Sequence, residues 1–560
     1  MDKTEGRKKK VILINPPRNE LFPFIDTESQ PYGLLKIGGL FLRKGYDVKM
    51  IDCGGNEYDQ VPLKTIRCGI YRTKEFTKPV YHLGKSYEEL QKELETAGEP
   101  DEIWVTSSFT YYWESVHKTI EVCKQVYPKA KVVLGGLYAT LCPEHAAKSK
   151  ADLILPGRYR EADLSPTALE LLPKRPLHAI IKYTRGCPNN CSYCAVTKLE
   201  GHKMEYMNEE LFVWELEDKF YNHGIFFFDL WESNLLVRAN DHFEKVLDTI
   251  IERRLPIQIL LPEGLQTNLI YERLAKKMKL AGVVGFALPL ESSDEKLCSE
   301  RFHRPSSLND FERAVRTLKK AGFQPPQMKI FILIGMPKQS ISSMVRSCIK
   351  TLWLNCRVIC LAFTPIPGTE EYKNYGPLVG HKGLEELHPR LWPFANEEME
   401  VEDLENLTKL NKTESFYDLV GRKRNRIIDM IFEEIKGSIL KTSLPEIDDL
   451  KFTSNNVILD FTITKEDVSP ENRKMNLARI KKLRKSASEN NVNLYFLTPL
   501  PYCIKDAEDT LTPSGCAGCL KTEMRPEPCE YKQTIMNETP EFCKSCIYWM
   551  RGVCNIRCLK

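Results

Sequence analysis

The sequence predicts an α/β protein with an N-terminal doubly wound parallel sheet, a central partial (β/α)6 TIM barrel and a small C-terminal α/β unit that ends in a cysteine-rich tail. Two series of short apolar runs alternate with helical patterns, and such alternation is typical of parallel sheets covered by helices. Two more apolar runs flank a basic helix further on. Because 560 residues are too many for one core, we expect four regions: 1–160, 175–376, 377–500 and 501–560.

In the first region, apolar strands such as "KVILINPP", "EIWVTSS" and "KVVLGG" end in polar or small residues. Ligands of doubly wound sheets bind at the carboxyl ends of the strands. The candidate ligand contacts there are Thr106, Ser107, Tyr112, Gly135 and Gly136. An insert over 55–86 has little periodicity and is expected to be a long loop, either functional or a decorated surface.

The second region contains six strand-like apolar runs, from "HAIIKYT" to "VICLAFTPIPGT", each followed by a polar or Gly/Pro turn. Directly after the first run come Cys187, Cys191 and Cys194, spaced Cys-x3-Cys-x2-Cys. Barrel chemistry belongs at the strand carboxyl ends, which is where these cysteines fall. A structural metal site uses four protein ligands, so three leave either a distant fourth ligand or an open position.

Composition excludes some classes of function. The net charge of +4 does not demand nucleic acid as a partner, and no apolar run reaches the length of a membrane span. The charged start "MDKTEGRKKK" has no signal core after it, so we expect a cytoplasmic protein. Nineteen cysteines, partly clustered, then indicate metal or iron-sulfur ligands before disulfides.

The three-cysteine motif after a first barrel strand resembles that of the radical S-adenosylmethionine (SAM) superfamily, although the spacing alone also suits zinc. The resemblance extends to Tyr193 before the third cysteine, to Glu291 in "LPLESS", and to the turns "IGMP" and "TPIPGT". It implies that the three thiolates hold a [4Fe-4S] cluster whose fourth iron binds SAM. The implied SAM contacts are Tyr193, Glu291, Gly335, Pro337 and Pro365.

Relatives carry a Gly-Gly-Glu or paired-Asp sequence after the second strand, whereas this chain has "FFDLWESNLL". The resemblance therefore implies that Asp229 or Glu232 lies near the SAM ammonium group. The alternative is that either carboxylate only caps the following helix.

The first region resembles the cobalamin (B12)-binding, Rossmann-like domain that precedes the barrel in one large radical SAM subfamily. The matching pieces cover most of residues 10–157. No Asp-x-His-x-x-Gly motif is present, which implies either cobalamin bound without a histidine on the cobalt or loss of the cofactor.

The tail resembles the auxiliary-cluster (SPASM-type) domains of some radical SAM enzymes, with a longer middle gap. Its thiolates suit two four-cysteine clusters, or one iron-sulfur cluster with a zinc or rubredoxin-like iron site. We expect metal to supply its order, because few long apolar runs lie there. The expected ligands are Cys503, Cys516, Cys519, Cys529, Cys543, Cys546, Cys554 and Cys558.

The function implied by these resemblances is that of a radical SAM transferase. It would make a 5'-deoxyadenosyl radical, abstract hydrogen from an unactivated carbon and, with cobalamin, methylate that carbon or form or rearrange a C-C bond there. Its partners would be a small-molecule, lipid or peptide substrate and an electron donor such as ferredoxin or flavodoxin. The alternatives are an RNA-modifying methylthiotransferase-like enzyme and a non-catalytic binding protein stapled by metal.

Overall fold

A computed structural model describes residues 7–21, 30–54, 65–72, 77–174, 176, 178–379, 383–420, 422–450, 452, 454–462 and 470–497. The chain divides into two compact units. The first comprises 1–263, 301–304 and 364–393, and the second comprises 264–300, 305–363 and 394–560.

The N-terminal part of the first unit contains a five-stranded sheet of order β3-β1-β6-β7-β8, in which every strand is parallel to its neighbours. Strand β1 is apolar on both faces, as parallel strands covered by helices are, and Val11 to Ile14 are fully buried. The sheet and its helices confirm the predicted doubly wound pattern. Its strands are β1 (Lys10–Asn15), β3 (Asp47–Asp52), β6 (Glu102–Val105), β7 (Lys131–Leu134) and β8 (Leu153–Ile154), and its helices are α1 (Tyr32–Arg43), α2 (Tyr87–Ala97), α3 (Trp113–Val126), α4 (Leu137–Leu141) and α5 (Pro143–Ala146).

The insert predicted as a long loop is not structureless, and that prediction was wrong. Its described residues form β4 (Thr65–Arg72) and β5 (Thr77–Leu83), which pair antiparallel, and β5 also pairs with β2 (Arg18–Glu20). The sequence carries little signal for it, because a hairpin needs few apolar residues when its backbone hydrogen bonds are made between its own strands. Helix α2 follows directly and starts with a capping box between Ser86 and Glu89.

All six strands predicted for the partial barrel are present. In the first unit, β12 (Phe227–Leu230) lies between β9 (His178–Ile181) and β13 (Gln258–Leu261), and both pairings are parallel. In the second unit, β15 (Met328–Ile334) lies between β14 (Val283–Glu291) and β16 (Arg357–Ala362), again parallel. The other elements here are the short pair β10 (Thr184–Arg185) and β11 (Glu205–Tyr206), and α6 (Val196–Glu200), α7 (Glu209–His223), α8 (Phe243–Glu252), α9 (Glu272–Leu280), α10 (Leu308–Lys320), α11 (Ile341–Trp353) and α12 (Glu370–Val379).

Helix α10 is formed by the segment "LNDFERAVRTLKK". Ser307 and Asp310 form a capping box at its start, and its buried face contains Phe311, Val315 and Leu318 as the periodicity predicts.

Past the barrel, the second unit holds a small parallel sheet of order β17-β18-β19. Its apolar core includes Leu459, Ile480 and Leu483. Where the described residues are concerned, no helix combines the length and apolarity that a bilayer span requires. The elements are β17 (Ile439–Ser443), β18 (Asn456–Thr462), β19 (Asn493–Phe496), α13 (Val401–Thr408), α14 (Tyr417–Val420), α15 (Arg426–Ile435) and α16 (Pro470–Glu489).

Candidate functional site

The cluster loop, residues 183–194, follows β9 in the first unit and carries the three predicted cysteines. None of Cys187, Cys191 and Cys194 forms a disulfide, and each is half-buried. Within the part of the chain that the structure describes, no three His, Cys, Asp or Glu side chains converge on a single metal ion. A cluster does not require such convergence, because each thiolate binds a different iron. Three thiols on one loop are the donor set that a cubane cluster with one open iron requires.

The first residues of the loop are hydrogen-bonded to a buried carboxylate. Glu232, two residues past β12, accepts hydrogen bonds from Tyr183 N at 2.6 Å, from Thr184 N at 2.7 Å and from the Thr184 hydroxyl. Burial raises the pKa of Glu232, while nearby Lys182 and these donors act in the opposite direction. In this structure Glu232 thus holds the cluster loop, and the SAM contact predicted for it stays a prediction.

A second carboxylate, that of Glu200 at the end of α6, binds the loop close to Cys187. It accepts hydrogen bonds from Gly186 N at 3.2 Å and from the side chains of Lys182 and Ser233. Burial alone would raise the pKa of Glu200, but the charge and hydrogen bond of Lys182 and the Ser233 bond outweigh it, so the pKa lies below its ordinary value. Glu200 is therefore an anionic anchor for the backbone just before Cys187.

The last part of the loop is hydrogen-bonded at Ser192 to a residue far away in sequence. Glu371 N donates to Ser192 O at 3.0 Å, and Ser192 Oγ donates to Glu371 Oε1 at 3.1 Å. Arg301 completes the brace with bonds of 3.0 and 2.9 Å to the two Glu371 oxygens. Such bidentate pairs are geometrically specific. Sequence reasoning missed Glu200, Arg301 and Glu371, and no local pattern marks them.

Tyr193, predicted from its place before the third cysteine, is held by the same segment. Its hydroxyl accepts a hydrogen bond from Arg304 Nη1 at 3.2 Å. Its ring meets the Phe302 ring edge to face, with centroids 5.4 Å apart. The side chain is thereby fixed next to Cys194, and its predicted SAM contact stays a prediction.

Asp229, the other candidate after the second strand, lies inside β12 and is 6% exposed. Its Oδ2 is 3.7 Å from Nε2 of His178, a buried residue of β9. Asp229 is therefore part of a polar pair inside the sheet, whereas Glu232 lies beyond the strand end.

The remaining predicted SAM residues occupy strand ends and turns. In the second unit, buried Glu291 ends β14 with a left-handed φ of +61°. That conformation costs energy for a residue with a Cβ, and such strain clusters at functional sites. Gly335 (φ +81°) and Pro337 form the turn after β15, and Pro365 in the first unit precedes α12. Their ligand contacts stay predictions.

The glycine edge, residues 106–113 and 135–140, lies at the carboxyl ends of β6 and β7. Gly136 has φ +97°, and a Cβ there would lie 2.2 Å from Ser107 O. Ser107 Oγ donates to Gly135 O at 2.6 Å and accepts from Ala139 N at 3.2 Å. A Cβ on Gly135, in contrast, would meet only Leu155 O, at 3.8 Å. The two strand ends are locked together, and the surface beside Gly135 is open.

Other members of the glycine edge are tied to a second network. The Tyr112 hydroxyl donates to Glu20, which also bonds His388 Nε2 at 2.6 Å. Thr106 N donates to Ile14 O at 3.1 Å, so Thr106 continues the sheet for one residue. The tail cysteines, Cys503 to Cys558, lie outside the described residues, and their metal sites stay predictions.

Two curated proteins are similar in sequence to this chain. The chain is 20% identical to cytidylyl-2-hydroxyethylphosphonate methyltransferase of Streptomyces wedmorensis, over 59% of this chain and 73% of that protein. It is 23% identical to bacteriochlorophyllide d C-8(2)-methyltransferase of Chlorobaculum tepidum, over 57% of this chain and 78% of that protein.

Among solved structures, the radical SAM methyltransferase TsrM from Kitasatospora setae, with tryptophan and a SAM analogue bound, shares the fold. Its TM-score is 0.50 at 15% identity, over 67% of this chain and 77% of that chain. This likeness confirms the predicted fold class.

The profile of the Radical SAM superfamily matches residues 181–348, a range that starts at the end of β9 and includes the whole cluster loop. The superfamily implies a [4Fe-4S] cluster and SAM as cofactors, and the braced loop with its three cysteines has the donor set for the cluster. Residues 181–348 therefore form a radical SAM domain, and the protein is an enzyme.

Proposed function

We propose that this protein is a cobalamin-dependent radical SAM methyltransferase that methylates an unactivated carbon. The observation that carries the proposal is that one compact unit contains both a braced three-thiol loop and a strand edge opened by glycine. The names of the two relatives, both methyltransferases, support the transfer of a methyl group.

The cluster loop supplies the radical half of the proposed reaction. A reduced [4Fe-4S] cluster, when bound, supplies the electron that cleaves SAM to methionine and the 5'-deoxyadenosyl radical. The chain's own residues hold the three thiolates at fixed positions, because Glu232, Glu200 and Glu371 each bond the loop at a different point.

The glycine edge supplies the binding surface for cobalamin. A bulky corrin needs a strand edge without protruding side chains, and the open surface beside Gly135 meets that need. Thr106, Ser107, Tyr112, Gly135 and Gly136 are the proposed contacts. His388 is engaged by Glu20, and its Nδ1 accepts a hydrogen bond from Arg390 N at 3.2 Å. The sequence has no Asp-x-His-x-x-Gly motif, so the proposal has no histidine on the metal.

The proposal extends to partners and setting. A cytoplasmic one-electron donor of the ferredoxin or flavodoxin class would reduce the cluster, and the substrate would be a small molecule, lipid or peptide that carries an unactivated carbon. The four regions predicted from the sequence, with a metal-folded auxiliary domain over 501–560, belong to the same proposal.

Anaerobic reconstitution tests both halves. With iron, sulfide and hydroxocobalamin, the full chain should retain a corrinoid absorbance after desalting, and a strong reductant and SAM should yield 5'-deoxyadenosine and S-adenosylhomocysteine. A chain that yields only 5'-deoxyadenosine and retains no corrinoid is a radical SAM enzyme without the proposed methyl transfer.

Replacing Cys187, Cys191 and Cys194 together with Ala should abolish 5'-deoxyadenosine formation, since no thiolate then holds the cluster, and leave corrinoid binding intact. Cys142→Ala is the matched control, because Cys142 is also free and half-buried but lies outside the loop. Undiminished SAM cleavage in the triple variant would refute the assignment of the cluster loop.

A further inference from the structure

Three consecutive residues after β12 all bind the cluster loop or its anchor. Glu232 bonds the loop start, Ser233 donates to the anchor Glu200, and Asn234 Nδ2 lies 3.5 Å from Cys187 Sγ. The first two contacts are to oxygen and nitrogen atoms that shape the loop. The third reaches a predicted cluster ligand itself.

The Asn234 contact has the geometry of an amide N–H donating to sulfur, for which 3.5 Å is an ordinary length. Asn234 is 5% exposed, so water competes little for this donor. The residue stands directly after two residues whose side chains bond the loop or its anchor, so the backbone that carries the Asn234 side chain is held close to the loop.

We propose that Asn234 is a positioning residue that raises the reduction potential of the [4Fe-4S] cluster by donating a hydrogen bond to the Cys187 thiolate. A cluster gains negative charge when it accepts an electron, and a donor to a ligating sulfur stabilises that added charge. Without the donor, the oxidised cluster is favoured and a one-electron donor reduces it less readily. The proposal concerns the cluster alone and holds whether or not the protein binds cobalamin.

The experiment replaces the donor by an apolar side chain of similar size. Asn234→Leu and the wild-type chain are reconstituted anaerobically and titrated potentiometrically without SAM, with the reduced cluster followed by electron paramagnetic resonance. We expect the midpoint of Asn234→Leu to be more negative, by about a tenfold change in the reduction equilibrium, which is 59 mV for one electron.

Asn240→Leu is the matched control, because Asn240 lies on the same segment but is exposed, and its side-chain amide donates to Asp241 rather than to a cysteine. It should keep the wild-type midpoint. A second readout is the rate of 5'-deoxyadenosine formation, which should fall more with a flavodoxin-class donor than with a stronger chemical reductant.

The proposal is overturned if Asn234→Leu with full iron content has the wild-type midpoint, or if Asn240→Leu shifts it equally. Where Asn234→Leu does not retain the cluster, Asn234→Ala decides. A more negative midpoint in Asn234→Ala supports the tuning role. An unchanged midpoint, or loss of the cluster from a chain with native circular dichroism, shows that the residue only shapes the loop.

Discussion

The cluster loop and the glycine edge are both strand-end sites of one unit, yet they are built from different interactions. The cluster loop is held by the carboxylates Glu232, Glu200 and Glu371. At the glycine edge, the ends of β6 and β7 are joined by backbone groups and the Ser107 hydroxyl, as in the bonds from Leu137 N and Ala139 N to Ser107. A loop that must keep three thiolates at fixed positions needs strong directional anchors, whereas a surface for a large flat ligand needs small residues and space.

The comparison predicts that removing an anchor damages the cluster loop most. Glu232→Ala leaves two backbone N–H groups and one hydroxyl buried without their acceptor, and each costs about 1–3 kcal/mol. We expect the iron content per chain to fall sharply and the loop to become sensitive to protease.

Glu232→Gln is the conservative variant for this test, because its amide oxygen still accepts hydrogen bonds. It should retain more iron than Glu232→Ala. Equal and full iron content in both variants would show that the cluster loop does not depend on this anchor.

At the glycine edge, replacing either of two adjacent glycines with Ala should have different effects on stability. Gly136→Ala forces a Cβ to within 2.2 Å of Ser107 O at a left-handed φ, so we expect a loss of about 1–3 kcal/mol in the free energy of unfolding. Urea denaturation measures this loss.

Gly135→Ala is the matched control, since its Cβ has only one neighbour, at 3.8 Å. It should unfold like the wild type but retain less corrinoid after reconstitution. If Gly135→Ala instead destabilises the chain as much as Gly136→Ala, the edge is closed and does not offer the open surface proposed for cobalamin.

The smallest expected effect concerns pH. His117, on α3, bonds Tyr138 Oη at 2.9 Å, and Tyr138 Oη bonds His145 Nδ1 at 2.6 Å. Burial, then the charges of His145 and Lys148, lower the pKa of His117 to about 4. Because the unfolded chain takes up this proton first, His117 contributes stability above its ordinary pKa of 6.5, and that stability is lost as the pH falls towards 4.

His117→Gln should therefore reduce the change in the free energy of unfolding between pH 6.5 and pH 4. The expected reduction is about 1–2 kcal/mol after allowance for solvent screening. His145, whose pKa burial also lowers, keeps part of the slope. At the cluster loop, the pKa of Glu200 is lowered, so the stability that its charge contributes is lost only as the pH falls below its ordinary pKa of 4.5. If the free energy of unfolding of His117→Gln changes with pH between 6.5 and 4 as much as that of the wild type, His117 is not the source of this pH dependence.

Periodicity and motif spacing were sufficient to predict much of this protein. The buried strands β1, β6, β7 and the six barrel strands are continuous apolar runs, and the cysteine spacing is local, so both are readable from neighbouring residues. The placement of the cysteines after β9 followed from the same pattern. These features depend on contacts close in sequence or on simple burial, and therefore the chain records them directly.

The tertiary structure decided the rest. Glu371 reaches Ser192 across 179 positions, and Arg301 reaches Glu371 across 70, so nothing in the local sequence marks them as supports of the cluster loop. The hairpin of β4 and β5 was missed because its order comes from backbone pairing rather than from an apolar pattern. Glu232 was a candidate from its position, but only the fold shows its carboxylate bonded to Tyr183 and Thr184, since hydrogen-bond partners are set by where distant strands end.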